Sequence, residues 1–380
     1  MRLTLDTAIR YLIDHDLVSS MEVIEAKLRL EDLSSRNRVM RIRRETRGTQ
    51  GLLLKQATTD GRGPTSLEHE LRVLTTIART EALRGLRPYV PASVHVDRDE
   101  QILITELIDP ATTLTKVWIN GGRMAFPTWR AEDLARTTAA VHTGGWRRAG
   151  AHALRGVLPE TLPYNLKADQ NYGCGFDMAS FGPATREAIA LTRQDGRLAS
   201  HATAVAQTWQ SREPIHNDLR FDNVIFTTGG RRDHRLIDWE LAIQGEGEWD
   251  VACFLADFVR LWGTNLSNGA RVQHVPAEGR WALDPSFAVP TLWQDVRVAA
   301  AAYWRAYVRA RRWGPARAAQ SWARVAEFLP MAYIRVAIES GRMATSPPPA
   351  ARLALDHLWR SLDNPLSAAS EAFGISEVGA

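Results

Sequence analysis

The segment Ile215–Glu240, IHNDLRFDNVIFTTGGRRDHRLIDWE, constrains this chain more than any other. Two short apolar runs, NVIF and RLID, flank the polar stretch TTGGRRDH, in which Gly229 and Gly230 supply the reversal of a β-hairpin. Interleaved with its Ile, Leu, Val and Phe are His216, Asp218, Asn223 and Asp238. In a symmetric antiparallel hairpin centred between Gly230 and Arg231, Asn223 and Asp238 face each other at the open end. An amide oxygen and a carboxylate converging there make a hard, oxygen-only site, which suits Mg2+ better than zinc. Asp218, in the loop before Asn223, is placed to orient an acceptor hydroxyl and accept its proton. Asp and Asn are common at strand ends, but four such groups at these positions, with strands between them, exceed what turns require.

The bulk of the sequence fits an enzyme. A length of 380 residues allows about two domains, and 45% hydrophobic with 24% charged residues is ordinary for a globular protein. No apolar run approaches the roughly 18–20 residues of a membrane span, and Arg interrupts the richest, VRVAAAAYWRAYV. The amino terminus, MRLTLDTAIRYLIDHD, lacks the apolar core and cleavage site of a secretory signal. Cys174 and Cys253 have no metal-site spacing. A cytoplasmic location with reduced thiols is expected. The net charge is only +4, and the Arg-rich stretches RIRRETR and RARRWGPAR are scattered, so no nucleic-acid partner is expected. Of 47 Lys and Arg residues, only Lys27, Lys55, Lys116 and Lys167 are lysines. Each of these four therefore merits inspection.

Along the chain, a short helix precedes MEVIEAKLRL, which alternates in part like a strand. RVMRIRRE and GLLLKQAT are further strands. TSLEHELRVLTTIART is a helix in which Thr65 and Glu68 fit a capping box and Leu67, Leu71, Leu74 and Ile77 form a stripe. SVHVDRDE and QILITELID form a strand pair. From Thr112 the pattern turns helical. TWRAEDLARTTAAVHTGG places Ala131, Leu134, Ala135, Thr138 and Val141 on one face, GRLASHATAVAQTWQ is helical, and three or four amphipathic helices lie between about 249 and 362. The expected class is α+β. A small β-rich lobe spans 1–108, a larger mainly helical lobe 109–364, and a flexible tail 365–380, with a hinge near Glu106–Pro110.

HNDLRFDN followed by LIDWE resembles the catalytic and metal-binding segments of the bilobal protein-kinase-like fold, whose signatures are H-R-D-L-x-x-x-N and D-F-G. With Asp-Trp-Glu and the following GEGEWDVACFLADF, it is most similar to the aminoglycoside phosphotransferase family. The resemblance covers roughly residues 25–260. It implies ATP and Mg2+ as cofactors, Asp218 as catalytic base, Asn223 and Asp238 as Mg2+ ligands, and His216 and Asp250 as supports of the catalytic loop.

The same resemblance asks for a strand lysine that contacts the phosphates and pairs with a glutamate on the next helix. Lys55 lies in an apolar strand, and Glu70 falls within the Leu67/Leu71/Leu74/Ile77 arc, where a charge is costly unless paired. A Lys55–Glu70 pair follows. At the triphosphate loop the chain has LEDLSSRNRVMRI, without the glycines of protein kinases, so Ser34, Ser35 and Asn37 become the phosphate contacts. Glu106, Leu107 and Ile108 would form the hinge whose backbone meets the base, with GTP also open as donor. Arg220 would stabilise charge on the transferring group, or instead pair with Asp222 or Asp218. Trp239, Glu240, Asp257, Trp262 and Asp284 are candidate lining residues of the acceptor pocket.

Three functions remain open. The first is a phosphotransferase acting on a hydroxyl of a small molecule. The second is a Ser/Thr kinase for a ribosomal precursor peptide, because the amino half is similar to phosphotransferase-like proteins of lanthipeptide- or thioamitide-type biosynthesis clusters. A partner enzyme would then eliminate phosphate. The third is a pseudokinase scaffold.

Overall fold

A computed structural model describes residues 2–34, 38–46, 48–57, 66–121, 127–143, 145–150, 156–163, 166–167, 181–194, 196–227, 234–266, 272–275, 280–283, 293–342 and 344–375. Its contacts form two compact units. One comprises Met1–Thr112, Gly144–Leu158 and Val224–Ala242, and the other Thr113–Thr143, Pro159–Asn223 and Ile243–Ala380. The hairpin strands after Asn223 thus group with the amino-terminal residues, an exchange that a single boundary at 108 does not describe.

The first unit begins with two capped helices, α1 (Leu5–Asp14) and α2 (Ser20–Ile24). The partial alternation of MEVIEAKLRL suggests a strand throughout, yet its first half is α2. The Ser19 hydroxyl accepts the Glu22 N–H while the Glu22 carboxylate accepts the Ser19 N–H, and this reciprocal cap starts a helix at Ser20. The strand begins only at β1 (Leu28–Asp32). With β2 (Arg38–Arg44), β3 (Leu52–Gln56), β4 (Ser93–Asp97) and β5 (Ile102–Glu106) it makes an antiparallel sheet of order β1-β2-β3-β5-β4.

Period-two alternation puts Met40, Ile42, Leu52, Leu54, Ile102 and Ile104 in one core with Leu3, Ala8 and Leu12. Lys55 is out of phase with Leu54 and so belongs to the opposite face of β3. The helix α3 (Ser66–Arg79) buries the expected stripe of Leu67, Leu71, Leu74 and Ile77. Thr65, its expected cap, lies outside the described residues, as do Gly229 and Gly230.

The hairpin strands Val224–Thr227 and His234–Leu236 pair with Val224 opposite Leu236 and Phe226 opposite His234. That register is one residue away from the expected facing of Asn223 and Asp238, and neither residue lies in the ladder. Asn223 closes a 3-10 turn, Phe221–Asn223, and Asp238 has a left-handed φ of 68° that ends strand geometry.

The second unit is built on the helices Thr128–Thr143, Gly247–Leu266, Trp293–Arg311, Pro315–Ser340 and Pro349–Asp363. The expected apolar face of Thr128–Thr143 is buried. Aromatic rings fill the core: Tyr303 stacks on Phe254 with centroids 4.5 Å apart, and Trp304 meets Trp322 at 5.1 Å. A β-carbon at Gly263 would overlap the Ala350 backbone, so glycine sets the closeness of those two helices. A strand pair, Val272–Val275 with Arg280–Leu283, interrupts the expected run of helices.

The expected flexible tail from Pro365 is corrected. Pro365–Phe373 is a helix capped by Asn364, whose side chain accepts the Ser367 N–H. Its small residues do not prevent packing, because Ala369, Ala372 and Phe373 share a face and Phe373 is fully buried. No described helix is long and apolar enough to cross a membrane.

Candidate active site

Within the first unit, Lys55 Nζ donates to both Glu70 oxygens at 3.0 and 2.8 Å and to Asp238 Oδ1 at 3.2 Å. Sheet phase supplies the lysine, the α3 arc supplies the glutamate, and the turn after the hairpin supplies the aspartate. Trp239 anchors that turn, being buried with its indole N–H donating to the Leu236 carbonyl. The His69 ring on α3 meets the Ala242 carbonyl at 2.6 Å. Burial disfavours charge on Lys55, but Glu70 and Asp238 together hold the ammonium above its ordinary range. Burial pushes the Glu70 carboxyl upward while Lys55 pulls it down. With two short hydrogen bonds from an ammonium the ion pair is the state that fits this geometry. The pairing is the one the helical arc requires.

Within the second unit, the Asp250 carboxylate braces the loop that carries Asp218. Its Oδ2 accepts the His216 backbone N–H at 2.7 Å and its Oδ1 accepts that of Asn217 at 2.8 Å. Behind it, His142 Nε2 lies 3.1 Å from Asp250 Oδ2, and His142 Nδ1 lies 2.7 Å from the Tyr307 hydroxyl. This fixes Asn217 at a φ of 64°, a left-handed conformation uncommon outside glycine, and so turns Asp218 out of the strand direction.

Asn223 Nδ2 then donates to the Asp218 carbonyl and to Asp218 Oδ2, both at 2.8 Å. Asp257, buried under the loop, accepts the Phe221 N–H at 2.6 Å and is paired with Arg260, which also reaches Asp222 at 3.1 Å. Asp257 is therefore a brace and not a pocket wall.

Two arginines flank Asp218. Arg220 Nε stands 3.3 Å from Asp218 Oδ2, within ion-pair range but off hydrogen-bond alignment, and its Nη1 donates to Glu339 Oε2 at 2.9 Å. Of its two expected partners Arg220 takes Asp218, since Arg260 holds Asp222. Arg335 Nη1 donates to Asp218 Oδ1 at 2.8 Å. Burial pushes the Asp218 carboxyl upward, and Arg335 and Arg220 oppose that shift. Arg335 and Glu339 did not stand out in the sequence. The signal was there: Arg335 sits between Ile334 and Val336 in a stretch of Pro315–Ser340 whose neighbours are all buried, the same reasoning that singled out Glu70.

The other expected residues fare unevenly. The Ser34 hydroxyl accepts the Val39 N–H at 3.0 Å, and its amide donates to Asp32, so the residue closes the β1–β2 turn. Ser35, Asn37 and Asp284 lie outside the described residues. At the expected hinge, the Glu106 and Leu107 amides donate to the Ala92 and Gly51 carbonyls, and the Leu107 carbonyl accepts from Gln50. Ile108 takes part in none of these bonds. Trp262 packs on Trp293 with centroids 4.9 Å apart and, like Trp239, is core.

A buried lysine–glutamate pair, an Asp–Asn loop braced by a helix aspartate, and an α+β fold with a small antiparallel sheet define a phosphotransferase of kinase-like fold. The chain belongs to the phosphotransferase enzyme family, whose model matches residues 30–285. No curated protein sequence matches it. Among solved structures it is similar to the choline kinase of Cryptosporidium parvum Iowa II, with 13% identity, a TM-score of 0.55 and 98% of each chain covered. An ethanolamine kinase of Plasmodium vivax aligns over 94% of this chain and 88% of its own, at 15% identity and a TM-score of 0.54. An aminoglycoside-3'-phosphotransferase of type VIII aligns over 87% and 98%, at 17% identity and a TM-score of 0.50. At these identities the likeness shows the fold.

Proposed function

We propose that the protein transfers the γ-phosphoryl group of ATP to a hydroxyl of a small molecule, with Mg2+ as cofactor. The observation that carries this reading is the Asp218 loop: a carboxylate fixed by Asn223 on one oxygen and by Arg335 on the other. The acceptor hydroxyl would give its proton to Asp218 as its oxygen bonds to Pγ and the bond from Pγ to ADP breaks. Lys55, oriented by Glu70, would hold the phosphates.

The donor set fits a hard cation. Asn223 has its amide nitrogen engaged with Asp218, leaving the carbonyl oxygen as its ligating atom, and Lys55 engages only one Asp238 oxygen. Oxygen donors of this kind suit Mg2+, which would neutralise charge on the phosphates. The choline, ethanolamine and aminoglycoside kinases that share the fold support a small-molecule acceptor.

The test offers the purified protein Mg2+ and ATP with two pools, one of polyols, sugars, amino alcohols and hydroxy acids, the other of Ser/Thr-rich peptides. Transferred phosphate is read by mass spectrometry against Asp218→Asn. Phosphate on a pool member, absent with Asp218→Asn, supports the reading, and transfer to peptide alone would replace the acceptor class. Turnover insensitive to Asp218→Asn would overturn the role of the base.

A further inference from the structure

We propose that Arg335 determines acceptor specificity, selecting an alcohol that carries an anionic group, carboxylate or phosphate, beside the hydroxyl that is phosphorylated. This rests on the reading of Asp218 as the base.

Three observations within the second unit lead to it. First, the Asp218 carboxylate has one side closed: Oδ2 faces Asn223 Nδ2 at 2.8 Å and Arg220 Nε at 3.3 Å. An incoming hydroxyl must therefore approach Oδ1, the oxygen that already accepts from Arg335 at 2.8 Å. The atoms next to that hydroxyl in any acceptor come to lie beside the Arg335 guanidinium.

Second, Arg335 is only partly satisfied. Its side chain is 9% exposed, it makes one hydrogen bond, to Asp218, and its Nε meets no acceptor among the described residues. Arg220 likewise has an unmet Nε, but it adds a hydrogen bond to Glu339 to its ion pair with Asp218. A buried guanidinium with an unmet donor beside the acceptor position calls for an anion.

Third, the proton balance points the same way. On transfer the O–Pγ bond forms, the Pγ–O bond to ADP breaks, and the hydroxyl proton passes to Asp218 Oδ1. Asp218 is neutral at that moment, and Arg335 loses the one carboxylate it hydrogen-bonds among the described residues, leaving only the more distant Glu339 and Asp257, unless the acceptor brings an anion. An acceptor ammonium would instead meet two guanidiniums. The nearby carboxylates are already taken, Glu339 by Arg220 and Asp257 by Arg260.

The probes are four three-carbon alcohols that differ in charge: glycerate, glycerol 3-phosphate, glycerol and 3-amino-1,2-propanediol. Binding to the full chain is measured by calorimetry without nucleotide, so it stands apart from turnover, for wild type, Arg335→Met and Arg335→Lys. The expected result is at least tenfold tighter binding of an anionic probe than of the amine. That margin should collapse in Arg335→Met and return in part in Arg335→Lys, with circular dichroism unchanged in all three. Which anion binds tighter separates carboxylate from phosphate. Tighter binding of the amine, no anion bound above the amine, or a margin that survives Arg335→Met overturns the proposal. Loss of Mg2+-ATP turnover altogether, with the anion margin intact, would instead overturn the phosphotransfer reading.

Discussion

Lys55 Nζ lies 2.8 Å from Glu70 Oε2, with the glutamate side chain 5% exposed and the lysine 16%. Removing only the cation leaves a carboxylate in an apolar face. Lys55→Met is expected to destabilise the protein by about 3–5 kcal/mol in urea denaturation at neutral pH. The penalty should shrink in acid, where Glu70 can take up a proton. The double variant Lys55→Met/Glu70→Leu should regain most of that stability and none of the turnover, which separates the ion pair's structural part from its contact with phosphate.

Asp218→Asn keeps the shape of the loop and removes the proton acceptor. Turnover is expected to fall by about 10²–10⁴-fold, the usual worth of general-base catalysis, while ATP binding measured by calorimetry persists. Asp238→Ala should abolish Mg2+-dependent turnover. ATP turnover unchanged in either variant contradicts the assigned roles.

Asp250 holds the loop through two consecutive backbone amides, those of His216 and Asn217. Hydrogen bonds to a charged group each contribute about 1.5–3 kcal/mol. Asp250→Ala should therefore cost about 3 kcal/mol or more. Amide hydrogen exchange at His216 and Asn217 should accelerate with it, and kcat should drop although Asp218 itself is unchanged.

Acid should loosen the first unit in a defined window. Hydrogen bonds from Arg44 hold the Glu22 carboxyl down, from 4.5 to about 2. A carboxyl whose folded pKa is depressed stabilises fully above its unfolded value and loses that contribution as pH falls toward the folded one. Glu22→Gln should thus lower the unfolding midpoint above pH 4.5 and progressively less between pH 4.5 and 2. A gap that stays constant across that range would show that the carboxylate charge contributes nothing.

Phe373 is fully buried in the last described helix, and Trp293 Nε1 donates to the neighbouring Ala372 carbonyl at 3.0 Å. Phe373→Ala should cost about 3–5 kcal/mol, read by thermal denaturation. A loss below 1 kcal/mol would return the segment to the frayed tail that its composition suggests.

The elements with strong periodicity were legible in the sequence. The α3 stripe and the strands β2, β3 and β5 follow from spacing, whereas the Lys55–Glu70 pair comes from the resemblance, supported by the place of Glu70 within the α3 arc. Local hydrogen-bond chemistry was harder to read. The Ser19–Glu22 cap converts an alternating run into α2, and the left-handed Asp238 lies outside the hairpin ladder, whose register is one residue from the symmetric one. The Pro365–Phe373 helix was hidden because Ala and Ser carry little pattern although they pack well. Arg335 and Glu339 lie far along the chain from Asp218, and no local motif connects them to it.

The division of the chain at Asn223 also bears on how the protein is made. The amino-terminal sheet and α3 leave the ribosome long before Val224–Ala242, yet the turn that packs against α3, carries Asp238 to Lys55 and meets His69 belongs to that later segment. Until it arrives, the nascent first unit has Lys55 and Glu70 in place without the third charge of the cluster, and the face of α3 that this turn covers stays open to solvent. Closing a loop that long is slow. An uncovered face of this kind, held open while the rest of the chain is made, is the surface through which a nascent segment aggregates.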